Sequence, residues 1–405
     1  MKVNKEKFLF YFKIYLILLT IFAVFHLYLK HNGGTDSTIS EWMINYKGGF
    51  TRRGLAGELF IFLSNQLDFS LRFIIFLFQS FLYILFIFLT FYFFKNLTVI
   101  NYLFIAIIFC PLFLIYHLSE LEVLARKEII LFSHYYIYLI LIERRCSVNI
   151  CNLYLFLTLP IIALIWEPVI FFVQFYFFSY FLSYHKSFNK KNSKKLYSHL
   201  LSYLSLILII YSIIMQDFSS NNEKIMCNYL ELNFNQKCYM SMNYLDTTIN
   251  DNFNSLFTDV KFTHILRYVI VFLVGFAPLF LLLKYSSFKI NYEEINFIKY
   301  YIILLIPIIL LYMMGLDWGR WTNITYFYYI ITTFHFFKIE KLKIDFVKLD
   351  QLINNFIKKK ITLFFIIIIF CFGWNTKTLY KEDIGSLPGY RVPYYFFKTL
   401  IRNIS

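Results

Sequence analysis

From Phe8 onward the chain is a succession of long apolar runs separated by short polar segments. The runs Phe8 to Leu29, Leu71 to Phe94, Leu97 to Leu118, Ile129 to Ile142, His199 to Met215, His264 to Leu283, Tyr300 to Met314, Thr322 to Phe337 and Ile361 to Trp374 are predominantly apolar. A helix of about 20 apolar residues crosses a bilayer, so each run predicts a membrane helix, the shorter ones extended by tilt or by flanking Tyr and Trp. The first run lacks the small-residue cleavage pattern of a signal peptide and reads as a retained helix. Leu153 to Leu182 is too long for one ordinary span and is interrupted by Pro160 and by Trp166-Glu167-Pro168. We read it as two spans, or a re-entrant pair folded at Glu167, which brings the total to about eleven membrane segments.

Composition agrees. Of the 405 residues 59% are hydrophobic and 16% charged, which excludes a water-soluble domain and a disordered chain. The 52 Phe and 34 Tyr against 12 Gly and 7 Pro exclude collagen-like and linker classes. The expected fold is an all-α polytopic integral membrane protein, one membrane domain over 1–405.

The formal net charge of +15 would suggest nucleic acid in a soluble protein. Here the basic residues crowd into short segments between runs, as the positive-inside rule requires. With a cytoplasmic N-terminus, 21 of the 39 Lys and Arg fall on the inner side, including the basic loop 338–360. Another 16 fall on longer outer segments, so no nucleic acid is needed to explain the charge. The long outer loop 216–263 is mildly acidic and holds Cys227 and Cys238. Facing an oxidising compartment they can form a disulfide; a loose, unbonded pair is the alternative.

Four polar constellations carry candidate chemistry. In 45–58, Arg52 and Arg53 precede a short apolar run and open an interfacial or re-entrant helix, where guanidinium forks and free backbone N–H groups converge on an anion. In 119–128, Arg126 and Lys127 can add to the same pocket, with Glu120, Glu122 and Glu128 holding them. In 316–321, read as a tight outer turn, Asp317 and Arg320 can pair while Trp318 and Trp321 are either interface anchors or faces for sugar rings. Glu167 is an acid in an apolar stretch, where desolvation would raise its pKa towards that of a general base, unless an arginine such as Arg267 pairs with it. No HExxH, GxSxG, nucleotide loop or metal-ligand spacing is present, so no metal or cofactor is expected.

Gly49-Phe50-Thr51-Arg52-Arg53-Gly54-Leu55, Arg126-Lys127-Glu128, Trp166-Glu167-Pro168 and Asp317-Trp318-Gly319-Arg320-Trp321 together resemble bacterial O-antigen or capsule repeat-unit polymerases of the Wzy type. The resemblance implies an enzyme of the bacterial inner membrane that transfers a glycan from undecaprenyl diphosphate to a lipid-linked repeat unit on the periplasmic face. A chain-length regulator is the expected protein partner. On this reading Arg52, Arg53, Arg126, Lys127 and Arg320 hold the diphosphates, and Asp317 or Glu167 takes the acceptor proton. Two other classes fit the same composition: a glycosyltransferase using a polyprenyl monophosphate sugar with Asp36 or Glu41 as its acid, and a flippase for lipid-linked oligosaccharides.

Overall fold

The computed structural model describes residues 3–33, 37–184, 190–216, 218–247, 249–290, 293–295, 297–357, 359–379 and 388–404. They are mostly helical. Six helical segments are long and apolar enough to cross a bilayer: Lys5–Asn32, Leu71–Lys95, Val148–Ile165, Lys195–Ile214, Phe262–Lys284 and Phe297–Met314. Each leaves large apolar side chains uncovered, such as Phe81 and Phe88 on the second and Ile302 and Ile306 on the last. Such faces suit a hydrocarbon solvent, and the chain is a multi-pass membrane protein.

The remaining expected spans behave differently. Leu97 to Leu118 is not one helix: a Tyr102–Ile108 helix ends before Pro111, turns follow, and a short Tyr116–Ser119 helix closes the segment. A proline has no N–H to continue the ladder and disfavours helical geometry in the residue before it. Glu128–Glu143 and Trp318–Lys338 are helices buried on nearly every side, and every residue from Trp318 to Phe336 is inside. The stretch around Glu167 is broken at Trp166-Glu167-Pro168, into a Val148–Ile165 helix, a 3₁₀ segment Glu167–Phe172 and a Val173–Tyr184 helix, whereas Pro160, expected as an interruption, lies inside the first of these helices.

Three polar connections carry more structure than the word loop suggests. The segment 216–263 contains the Ser220–Phe234 helix, capped by Ser219, and the Ile249–Asp259 helix. Segments 284–299 and 338–360 meet in a small antiparallel sheet in which Ser286–Ile290 lies between Glu293–Ile295 and Leu342–Ile344, pairing Phe288 with both Ile295 and Leu342. The membrane part is all-α, and this sheet is the addition. Beyond it, Asp345 accepts from the Lys348 amide (3.0 Å) and starts a Phe346–Phe356 helix.

By packing, the chain forms two compact units, each from separate stretches of sequence: Met1–Phe22, Phe91–Leu121 and Phe253–Ser405 in the first, Ala23–Thr90 and Glu122–Asn252 in the second. The first is built round Trp318–Lys338, where Phe334 meets Phe94 and Phe104 edge-on and Tyr326 Oη donates to the Ile107 carbonyl (2.9 Å). The second is built round Trp42, Phe60 and Phe78. There Gln79 donates to the Thr38 carbonyl and to the carbonyl of Ala125, which lies outside any helix.

Candidate functional site

In the second unit the Gly54–Leu67 helix begins directly after Arg53, which is left-handed (φ 65°) and supplies no side-chain cap. Gly54 and Gly57 of this first turn are buried, Gly54 against the Tyr46 ring. Any Cβ at Gly57 would strike the Ile44 carbonyl, so glycine lets this helix lie on the backbone of Met43 and Ile44.

That packing brings Arg53 to two acids far apart in sequence. Its Nε and Nη2 fork the Glu167 carboxylate (2.8 Å to Oε2, 2.7 Å to Oε1), while Nη1 lies 3.5 Å from Glu41 Oε1. Glu41 is fully buried in the short Ser37–Met43 helix and takes Arg126 Nε on its other oxygen at 2.6 Å. Lys127, also fully buried, donates to the Arg53 carbonyl (2.8 Å), and its Nζ sits 5.7 Å from the centre of the Trp42 ring. Trp42 in turn donates to the Ala125 carbonyl, which fixes the bend that presents Arg126 and Lys127. Arg53, Arg126 and Lys127 thus meet as the sequence suggests, yet the acids beside them are Glu41 and Glu167.

The long polar segment covers this arrangement. Arg52 Nη2 donates to the Tyr244 carbonyl (2.7 Å), Asn222 Nδ2 to the Gly48 carbonyl (2.6 Å), and a side chain at Gly48 would collide with the Asn222 backbone. Cys227 and Cys238 are disulfide-bonded, tying the Ser220–Phe234 helix to the chain that returns towards Tyr244.

Two charge states follow. Burial pushes the Glu167 carboxyl up, but the charge and hydrogen bonds of Arg53, with Arg52 behind, outweigh it and hold Glu167 below the usual carboxylate value. This corrects the expectation of a desolvated base with a raised pKa, because an ion pair to Arg53, not Arg267, dominates. Lys127 moves the other way: burial, opposed by Glu41 and reinforced by Arg53, brings its ammonium down to about 7.

The first unit has a cluster of its own. Asp317 to Trp321 is not a free turn; Asp317 is the N-cap of Trp318–Lys338 and the next residues form its first turn. Arg320 is 1% exposed, with Nη1 3.4 Å from Asp317 Oδ2. The expected sugar-stacking faces of Trp318 and Trp321 are not presented. Both rings are buried, their indole N–H groups donating to the Tyr312 and Gly315 carbonyls. Nearby, Glu120 accepts on Oε1 from Arg391 Nη1 (2.9 Å), Asn375 Nδ2 (3.0 Å) and Lys377 Nζ (3.4 Å). Glu120 therefore serves this cluster, whereas Arg126 is held by Glu41.

Arg391, Lys377 and Asn375 are not among the residues the sequence points to, because they follow the last apolar run without a recognisable motif. The one signal for Arg391 is the amphipathic pattern of the Pro388–Ile404 helix. Asp36 lies outside the described residues. Comparison with protein-family models, with curated proteins and with solved structures finds no match to this chain.

Proposed function

We propose that this protein is a bilayer glycosyltransferase that extends a glycan carried on polyprenyl diphosphate, as a repeat-unit polymerase of the Wzy type does. The observation that carries the reading is the Arg53–Glu41–Arg126 chain with Lys127 against it. Buried charges of this density are costly and gain little stability over apolar packing, so their retention favours a task for them. Carboxylates that hold two guanidiniums in place beside a helix start leave a preorganised cradle for the oxygens of a departing diphosphate. Glu41 and Glu167 act as holders. Asp317, at a helix start in the other unit and partly exposed, is the carboxylate that suits proton removal from an acceptor hydroxyl.

The finer topology belongs to the same proposal: about eleven membrane segments, N-terminus in the cytoplasm, inner membrane, both clusters on the periplasmic side. Contacts between connections support its alternation. Asn152 bonds to Ser198 among segments assigned inside; Gly48 bonds to Asn222 and Gly319 to Thr378 among those assigned outside. Reading 153–182 as one span would place Gly48 and Asn222 on opposite sides of the bilayer, so their 2.6 Å bond favours the broken pair.

A second reading is favoured by one feature. Glu41 follows the first helix on an outer connection, where a transferase using a polyprenyl monophosphate sugar would keep its acid. Products separate the two: a ladder of repeat units marks the polymerase, single-sugar decoration the alternative. In a deletion strain, Arg53→Ala and Arg320→Ala genes should fail to restore the ladder; normal polymer from both would remove the diphosphate roles.

A further inference from the structure

A groove lies on the flank of the first unit, between the apolar Lys360–Phe372 helix and the short Tyr102–Ile108 helix. Phe364, Ile368 and Cys371 form one wall, at the i, i+4 and i+7 positions of a single helical stripe, and Tyr102, Phe109 and Val3 form the other. Its volume is about 330 Å³, and it opens sideways, since Phe364 is 51% and Ile368 39% exposed. The side chains that line it are apolar apart from the Tyr102 hydroxyl and the Cys371 thiol.

The second wall stands without an occupant. Phe109 packs on Phe12 and Tyr15 of the first helix, with ring centres 5.9 and 4.8 Å apart, and Val3 N donates to the Ile100 carbonyl (2.9 Å).

Two features say what fits there. The first is size. From Phe364 to Phe372 the groove follows about 12 Å of helix, at 1.5 Å per residue. One leaflet of a bilayer offers about 15 Å of hydrocarbon, half of a roughly 30 Å core. A partner helix about 10 Å wide would need roughly 900 Å³ over that length, far more than the groove holds. A single acyl chain matches both the length and the narrowness.

The second feature is charge. Lys360 stands one turn before Phe364 on the same stripe, with Lys359 beside it, and both are exposed. Lys5 and Lys7 open the first helix just after Val3. Glu6 is the one acid in 1–7 and 357–363. An apolar slot for one chain with cations at one mouth complements a lipid whose head is negative.

We propose that this groove holds one acyl chain of an anionic phospholipid whose phosphate lies against Lys359 and Lys360. The lysines mark the end of the helix away from Asn375, so this site is separate from the Glu120 cluster. The inference goes beyond the glycosyltransferase reading and does not depend on it.

The test uses the full-length protein in mild detergent, titrated in turn with phosphatidylglycerol, phosphatidylcholine and undecaprenyl phosphate, with retained lipids counted by native mass spectrometry. The wild type should retain one phosphatidylglycerol about tenfold more tightly than phosphatidylcholine. Lys359→Gln together with Lys360→Gln should weaken phosphatidylglycerol about 25-fold, a factor of about five for each lysine, and leave phosphatidylcholine unchanged. Ile368→Trp, which fills the groove, should weaken it at least as much, whereas Ile369→Trp, at a 66% exposed position outside the groove, should not. Equal retention of the two phospholipids, or unchanged phosphatidylglycerol retention in the lysine variant or in Ile368→Trp, overturns the proposal. Tighter retention of undecaprenyl phosphate that is lost in Ile368→Trp would give the groove to a polyprenyl chain and overturn it as well.

Discussion

Replacing Glu41 by Gln keeps the side chain's shape and one acceptor oxygen but removes the negative charge that meets Arg126 Nε at 2.6 Å. Arg126 is 7% exposed at its side chain, so water cannot take the carboxylate's place. Breaking a buried pair by removing one partner costs about 3–5 kcal/mol. Gln still accepts one hydrogen bond, and Arg53 keeps Glu167, so the lower end applies: about 3 kcal/mol. Arg126→Met in the Glu41→Gln background removes the cation that Glu41 meets and should recover most of that loss, a coupling of about 2 kcal/mol. Denaturant unfolding in mild detergent reads both variants against the wild type. The exposed pair Lys348–Asp345, with side chains 70% and 41% accessible, is the control, and Lys348→Ala should leave the midpoint unmoved. A Glu41→Gln loss below about 0.5 kcal/mol, or strictly additive variants, would show that Glu41 does not hold Arg126 and would refute the buried-pair argument.

Other outcomes follow from single contacts. Lys127 releases its proton near pH 7 in the folded chain but at its ordinary 10.5 when unfolded, so between these values the unfolded state binds more protons and stability should rise with pH; Lys127→Met should flatten that rise, and parallel melting profiles would contradict it. Cys227 and Cys238 are 11 residues apart in sequence, so reducing their bond, or Cys227→Ser, should cost about 3 kcal/mol on loop entropy and be seen as a lower unfolding midpoint. Gly319→Ala should lower the melting temperature clearly more than an Ala at exposed Val347, since its Cβ meets the Lys377 carbonyl; equal melts would show that contact to be loose.

Much of this was legible in the chain. Apolar runs marked the candidate spans because lipid-facing helices need no polar face, and Trp166-Glu167-Pro168 marked a break because proline ends a ladder. Arg52, Arg53, Arg126 and Lys127 stood out as cations on connections that the inside rule leaves poor in charge. What could not be read is pairing. Nothing in sequence says that Arg53 reaches Glu167 across 114 positions, or that Glu120 turns to Arg391 across 271, since tertiary packing alone brings them together. Trp318 and Trp321 misled because a tryptophan at a span end looks alike whether it faces lipid, sugar or protein. Pro111 interrupts the run Leu97 to Leu118, and this expected span is two short helices for that reason.

The central claim, that the Arg53 cluster holds a polyprenyl-linked diphosphate during glycan polymerisation, meets its most direct test in the surface polysaccharide of a deletion strain resolved on a gel. The wild-type gene should restore a ladder of repeat units, Arg53→Lys should restore at most a weak one because a lysine cannot fork two oxygens, and Arg53→Ala should leave single units on the lipid. A full ladder with normal chain lengths from the Arg53→Ala gene, with protein present at wild-type amounts in the membrane, would contradict the claim.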